Sequence, residues 1–343
     1  MNKKVSLKDV ARHIGVSTAL VSYVINHKEK EARVSDKMVM KIRKAVTELN
    51  YQPNLIAKSL KSGKTNTIGL IVADISNPFF SNIARIIEDE AKKEGYIVII
   101  GSSDENTEKS QDLINVFLNR QVDAFIIAPA ENTELQIADL QKKNIPVVLI
   151  DRYFPNAKIN SVHIDNFKAA YRAVEHLTIN GRKKIAIVAY DTSLSHMQER
   201  KNGYKAALKN KGIRFRSEWL KNISYHNIEK EVAIAMKELL ALVPKIDAVF
   251  FTTNTLAIEG LKIICQSDIK VPEDLAIIAF DESDAFDFFY SPLSYISQPL
   301  AEMGKEAVKL AIEKIRCNDK KYRTILVKEK LVLRKSCGRK MGE

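Results

Sequence analysis

Two sets of residues in this chain have the types and spacing to do chemistry. The first lies in Ser17-Thr18-Ala19-Leu20-Val21-Ser22-Tyr23-Val24-Ile25-Asn26. Wound as a helix, this run puts Val21, Val24 and Ile25 on one side and leaves Thr18, Ala19, Ser22 and Tyr23 on the other. Ser17 suits the N-cap, and Asn26 closes the exposed set. Small, hydroxyl-bearing side chains let a helix approach base edges closely and exchange hydrogen bonds with them. The second set follows short apolar runs: Asp74 after 67–73, Asn254 after 248–251 and Asp281 after 276–280. Asp165 precedes a helical stretch, where it serves as a cap or faces a cleft. Arg200 stands in Arg200-x-x-Gly203-Tyr204, and Asp151-Arg152 either lines the same cleft or pairs internally. In parallel α/β sheets, ligands bind at the carboxyl ends of strands. A carboxylate facing a guanidinium there makes directional, multiple contacts with a hydroxyl-rich ligand.

The elements that must carry the first set are small and basic. Residues 1–64 hold 11 Lys and 3 Arg against 5 Asp and Glu, a net +9 out of +12 for the whole 343-residue chain. Leu7, Val10, Ala11 and Ile14 mark a first helix, and Gly15 supplies a tight turn before the second. A third helix is expected from near Ser35, burying Met38, Ile42, Ala45, Val46 and Leu49. A basic helix-turn-helix head of this kind binds DNA, since charge and spacing agree. After it, Pro53 breaks the helix, Asn54 can cap a new one and Gly63 can end it. Two turns are too few to stand alone in water, so this linker is expected to become helical only against DNA. Leu60 is its candidate wedge, an apolar side chain able to open a base step from the minor groove.

Beyond residue 65, apolar runs of strand length alternate with longer helical stretches: strands at 67–73, 96–102, 124–128, 147–150, 185–189, 248–251 and 276–280, with helices between. This βαβ rhythm predicts parallel sheets covered on both faces, in two lobes. Gly63-Lys64-Thr65 lacks the earlier glycine of a phosphate-binding loop, because Lys58 stands there. No GxGxxG, HExxH or GxSxG occurs, the six histidines have no ligand spacing, and Cys265, Cys317 and Cys337 match no zinc pattern. An enzyme is therefore not expected, nor a cofactor or metal. The start, Met1-Asn2-Lys3-Lys4-Val5-Ser6, lacks a signal peptide's apolar stretch, and no apolar run reaches about 18 residues. A cytoplasmic protein with no membrane partner is the expectation; a solute-binding protein is the alternative, against which the basic head argues.

Three stretches together resemble the lactose-repressor/galactose-repressor (LacI/GalR-type) family of bacterial transcription regulators. They are 7–22, Tyr51-x-Pro53-Asn54 with Ala57-x-x-Leu60, and Ile68-Gly69-Leu70-Ile71-Val72-x-Asp74-Ile75-Ser76-Asn77-Pro78-Phe79-Phe80. The resemblance implies a homodimer on a near-palindromic double-stranded operator. Paired recognition helices would read it, with hinge residues Asn54, Ala57 and Lys58 in the minor groove and Leu60 as the wedge. It implies a repressor whose operator affinity is set by a small-molecule effector, a sugar or sugar derivative ahead of a purine or a protein co-effector. The implied body is shared with periplasmic sugar-binding proteins. Its implied boundaries are a head at 1–52, a hinge at 53–64, a first lobe at 65–163 plus 292–323, and a second at 164–291 plus 324–343. Arg200 and Asp281 match the family's effector-contacting arginine and aspartate; Asn254, Asp165 and Gln298 match supporting positions, and Asp74 and Phe79 join the effector set. Three departures stand out. Tyr23 replaces a usual arginine, so the common operator is not carried over. Asn254-Thr255 replaces a usual Asn-Asp pair, and Asn227 falls where relatives often carry a stacking aromatic.

Overall fold

A computed structural model describes residues 5–52, 63–317 and 321–338. They fall into two units, Met1–Thr65 and Asn66–Glu343.

The head is three helices around its own core: α1 Leu7–Ile14, α2 Thr18–Ile25 and α3 Asp36–Glu48. Ser6 and Asp9 form a capping box at α1, the Ser6 hydroxyl accepting from the Asp9 amide while the Asp9 carboxylate accepts from the Ser6 amide. Gly15, at φ 77°, ends α1 in the left-handed region where a side chain would be strained. Ser17 starts α2, its Oγ accepting from the Leu20 amide at 3.2 Å. Val10, Ala11, Ile14, Val21, Val24, Val39, Ile42 and Ala45 are buried together. One expectation shifts. Val39 takes the buried position in α3, while Met38, Val46, Leu49 and Ile25 pack partly buried at the core's margin.

The body holds two six-stranded sheets. The first contains β1 Thr67–Val72, β2 Ile97–Ser102, β3 Ala124–Ile127, β4 Val147–Ile150, β5 Asn160–Ile164 and β11 Thr324–Val327, in the order β2-β1-β3-β4-β5-β11, all parallel. The second contains β6 Ile185–Tyr190, β7 Leu220–Ile223, β8 Ala248–Phe251, β9 Ala276–Phe280, β10 Ser294–Ser297 and β12 Lys330–Val332, in the order β7-β6-β8-β9-β10-β12, parallel except at β12. Strands that are covered on both sides must be apolar throughout. Within β1, Ile68, Leu70 and Val72 join one core while Ile71 joins another with Ile114 and Phe117 on the opposite face.

Helices α4 Pro78–Lys93, α5 Thr107–Asn119 and α6 Glu134–Lys142 cover the first sheet. Helices α7 Asn166–Ile179, α8 Ser195–Asn210, α9 Ile228–Ala241, α10 Asn254–Cys265 and α11 Ala285–Phe288 accompany the second. Helix α12 Leu300–Arg316 returns to the first sheet, packing on α4, β3, β4 and β5. The chain therefore crosses between lobes after β5, β10 and β11. This corrects the expected boundaries: 294–297 belongs to the second sheet, not the first lobe, and 324–327 pairs with β5 in the first. Helices α7 and α8 meet unusually closely at Gly203, where a Cβ would sit 2.3 Å from the Phe167 carbonyl oxygen. Among the described residues, no helix is long and apolar enough to cross a membrane.

Candidate functional site

On α2, Thr18, Ala19 and Tyr23 are exposed, as are Ser17 before the helix and Asn26 after it, while Ser22 is half-buried. The Asn26 side-chain amide turns back along the helix, donating to the Ser22 carbonyl at 2.8 Å and to its Oγ at 3.2 Å. Ser22 and Asn26 therefore form one polar patch at the helix end. Asn54, Ala57, Lys58 and Leu60 lie outside the described residues.

In the body, a cavity of about 250 Å³ opens where the carboxyl ends of the two sheets face each other. The first lobe contributes Asp74 and Asn77 beyond β1, Phe79 and Phe80 from α4, Asp104 and Glu105 beyond β2, and Asp151 and Arg152 beyond β4. The second contributes Tyr190, His196, Arg200, Tyr225, His226, Ile228, Thr253, Thr255 and Asp281. Gln298 follows β10.

Arg200 is 2% exposed, yet its charge is well supported. Its Nε donates to Asn166 Oδ1 at 2.9 Å and its Nη1 to the Thr252 carbonyl at 2.7 Å; Asp281 Oδ2 lies 3.9 Å away. The guanidinium rests on the Phe280 ring, 3.5 Å from its centroid. Burial works to lower the Arg200 pKa, with Asp281 and Asp151 opposing; the group stays protonated. Burial pushes Asp281 up to about 6 against the pull of Arg200 and of Gln298, whose Nε2 donates to Oδ1 at 2.7 Å.

The second guanidinium, Arg152, meets Glu105 through both terminal nitrogens at 2.6 and 2.7 Å, and Nη1 also donates to the Pro129 carbonyl at 3.1 Å. Burial opposes its charge, but Glu105 more than restores it. Asp151, 3.5 Å from Arg152 Nε, is raised by burial. Burial, followed by the charges of Arg152 and Arg200, holds His196 well below the ordinary histidine value.

Asp74, Phe79, Arg200, Asp281 and Gln298 thus come together at the cavity, and two expected residues stand apart. Asp165 caps α7, accepting from the Lys168 amide at 2.9 Å, so the cap reading accounts for it; the helix it starts carries Asn166, the partner of Arg200. Asn254 is buried, donating to Asn77 Oδ1 and to the Glu282 carbonyl, both at 3.3 Å, while Thr255 faces the cavity. Asn227 is not among the residues lining the cavity, whereas Tyr225, two positions earlier, lines it and stacks on Tyr190 with ring centroids 4.0 Å apart. His196 escaped the sequence reading although it lies one helical turn before Arg200, a spacing that puts both on one face.

A helix-turn-helix head joined to a two-lobed α/β body with a polar cavity between the lobes defines a ligand-responsive DNA-binding regulator. Comparison with known proteins agrees along the whole chain. The family described as "Bacterial regulatory proteins, lacI family" matches residues 6–54, and "Periplasmic binding proteins and sugar binding domain of LacI family" matches residues 65–335. The chain belongs to the LacI family of bacterial transcription regulators. It is 31% identical over 334 residues to the ribose operon repressor of Haemophilus influenzae, covering 96% of this chain and 98% of that one. It is 30% identical over 333 residues to the transcriptional repressor PurR of Mannheimia succiniciproducens, with the same coverage of 96% and 98%. In fold it is similar to the Lac repressor dimer bound to operator and the anti-inducer ONPF, with a TM-score of 0.85 at 23% identity over 98% of this chain and 99% of that one. The chain is a DNA-binding transcription regulator rather than an enzyme.

Proposed function

We propose that this chain is a cytoplasmic, homodimeric repressor that reads a near-palindromic operator and adjusts its grip to a sugar-like effector held between the lobes. Ser17, Thr18, Ala19, Ser22, Tyr23 and Asn26 face the major groove in this reading, with Asn54, Ala57, Lys58 and Leu60 in the minor groove. Arg200, Asp281 and Gln298 hold the effector, Asp74 and Phe79 border it, and Asp165 and Asn254 position their neighbours.

The observation that carries the effector assignment is the buried Arg200–Asp281–Gln298 constellation opening on the cavity. Such a group costs stability unless something uses it, because desolvated charges are expensive even when paired. Hydrogen bonds also cross the cleft: the Ser193 hydroxyl donates to Glu131 at 2.6 Å and the Ser195 hydroxyl to the Tyr153 carbonyl at 2.6 Å. A ligand gripping both lobes would compete with or reinforce these, shifting the lobes between two arrangements.

The test begins with a thermal-shift screen against sugars, then selection of a preferred site from random duplexes. The reading expects one or more sugars to raise the melting temperature and to change affinity for the selected site. Failure to enrich any site, with or without metabolites, would remove the regulator reading. A purine effector is the second reading, favoured by the Tyr190–Tyr225 stack in the cavity wall, where a nucleobase could lie. Stabilisation by hypoxanthine or guanine and by no sugar would select it.

A further inference from the structure

The chain carries 54 Lys and Arg, yet among the described residues only Arg152 and Arg200 bring such a charge to the cavity wall. Both are already engaged. Glu105 takes the two terminal nitrogens of Arg152 in a bidentate pair. Asn166, the Thr252 carbonyl and Asp281 surround Arg200. Against these two cations the wall presents the carboxyls of Asp74, Asp104, Glu105, Asp151 and Asp281, of which Asp104 is paired with Lys109 outside the wall. Of the two histidines in the wall, His196 adds no charge, because burial keeps it neutral, and His226 is exposed to solvent.

Resting on the sugar-like reading of this same cavity, we propose that its ligand is an uncharged, hydroxyl-rich molecule, a free sugar or polyol, and not a phosphate ester or other anion. A phosphate entering here would leave water for a wall whose carboxyls outnumber its guanidiniums. Desolvating an anion without a partner is strongly unfavourable. To take both terminal nitrogens of Arg152 it would have to displace Glu105, and at Arg200 it would meet the Asp281 carboxylate that lies 3.9 Å from Nη1. A hydroxyl fits the same wall without that conflict, because it donates and accepts at once. It can give its hydrogen to Asp151 or Asp281 while its oxygen accepts from the neighbouring guanidinium. The surplus of acceptors specifically suits a ligand rich in O–H donors.

The intact protein tests this by thermal shift and calorimetry at constant ionic strength. The probes are inorganic phosphate and the matched pairs ribose and ribose 5-phosphate, glucose and glucose 6-phosphate, and fructose and fructose 6-phosphate. No phosphorylated member is expected to bind more tightly than its parent, and inorganic phosphate should leave the wild-type melting temperature where chloride leaves it. Glu105→Gln, which frees Arg152, and Asp151→Asn, which removes a charge without touching the Arg152–Glu105 pair, should each gain affinity for inorganic phosphate. A phosphate ester binding at least tenfold more tightly than its parent sugar would overturn the proposal. So would phosphate binding to the wild type that Arg152→Gln or Arg200→Gln abolishes. If the wild type ignores every sugar and inorganic phosphate too, the sugar reading falls while the exclusion of anions holds. If it binds a phosphate ester in this cavity at least tenfold more tightly than the parent sugar, the exclusion falls and the sugar reading survives.

Discussion

Replacing Asp281 with Asn changes one charge and little else. The backbone there has φ 68°, a left-handed conformation that Asn adopts about as readily as Asp. Asn also keeps an oxygen for the Gln298 amide that donates to Oδ1 at 2.7 Å. What it loses is the negative charge facing the cavity. A hydrogen bond to a charged acceptor contributes roughly 1.5–3 kcal/mol, so effector affinity should fall by about 10- to 150-fold. Proton linkage supplies an independent readout. With Asp281 pushed up to about 6, the carboxylate that a ligand hydroxyl prefers is mostly present at pH 7 and mostly absent at pH 5. Wild-type affinity should therefore fall about tenfold between those values, with proton uptake by the free protein opposing binding. Among the other titratable groups around it, Arg200 stays charged and burial keeps His196 neutral, so neither adds to the slope. Asp151 is also raised by burial, so the variant should show a shallower dependence rather than none. The assay is calorimetry with the sugar found by screening, from pH 5 to 7.5, in two buffers of different ionisation enthalpy. Variant affinity within twofold of wild type, or a wild-type affinity indifferent to pH, would refute the role of Asp281.

Three further outcomes are expected. Leu60→Ala should weaken binding to the selected operator more than to random duplex, and equal losses measured by fluorescence anisotropy would remove the wedge argument. Tyr23→Arg should turn preference toward guanine at one operator position by about 1–3 kcal/mol, because arginine reads guanine through two hydrogen bonds; site selection that returns the wild-type sequence would contradict placing Tyr23 at the bases. Gly203→Ala should destabilise the body by about 1–3 kcal/mol, since its Cβ would meet the Phe167 carbonyl at 2.3 Å and α7 and α8 would have to separate. An unchanged urea midpoint would show that the helices part at no cost.

Much of the head was legible because its local signals agree. Ser6 and Ser17 cap, Gly15 turns, and apolar residues recur at helical spacing. The central strands were equally plain, as Val147–Ile150 and Ala248–Phe251 are unbroken apolar runs buried on both faces. Strand β5 was missed for a physical reason. Asn160-Ser161-Val162-His163-Ile164 is fully buried although three of its five residues are polar, and the side chains of Asn160 and Ser161 find their partners in distant sequence. The Arg323 amide donates to Asn160 Oδ1 at 3.0 Å, which no local pattern reveals. The lobe boundaries failed on the same ground, because the strand completing the first sheet arrives from residues 324–327. In the cavity, aspartates at strand ends could be anticipated, whereas His196 could not, because it sits in the first turn of α8 with no local signal for where that helix begins. The helix starts at Ser195 after Leu194, which makes no side-chain cap. Glu105 was invisible for another reason: its meaning depends on Arg152, 47 positions away.

The two lobes also repeat each other, and the repetition bears on how a ligand would be held. Read from one edge, the sheets run β2-β1-β3-β4-β5 and β7-β6-β8-β9-β10, so β4 and β9 occupy equivalent places. Each ends in an aspartate with φ near 67°, Asp151 at 66° and Asp281 at 68°. Each aspartate's amide donates to the neighbouring strand, Asp151 to the Val162 carbonyl at 2.9 Å and Asp281 to the Ile296 carbonyl at 3.0 Å. A left-handed conformation is unfavourable for a residue with a side chain, so finding it twice at matched positions implies a constraint stronger than local preference. In both places it turns the chain sharply off the strand, and in both the carboxylate reaches the shared cavity. Each carboxylate also has its own guanidinium, and both guanidiniums are anchored on a backbone carbonyl just past a neighbouring strand, Pro129 beyond β3 and Thr252 beyond β8. A ligand bridging Asp151 and Asp281 would therefore grip the two lobes through equivalent, rigid points. Binding energy gained at either point would then be felt as a force on the angle between the lobes rather than absorbed by a yielding loop.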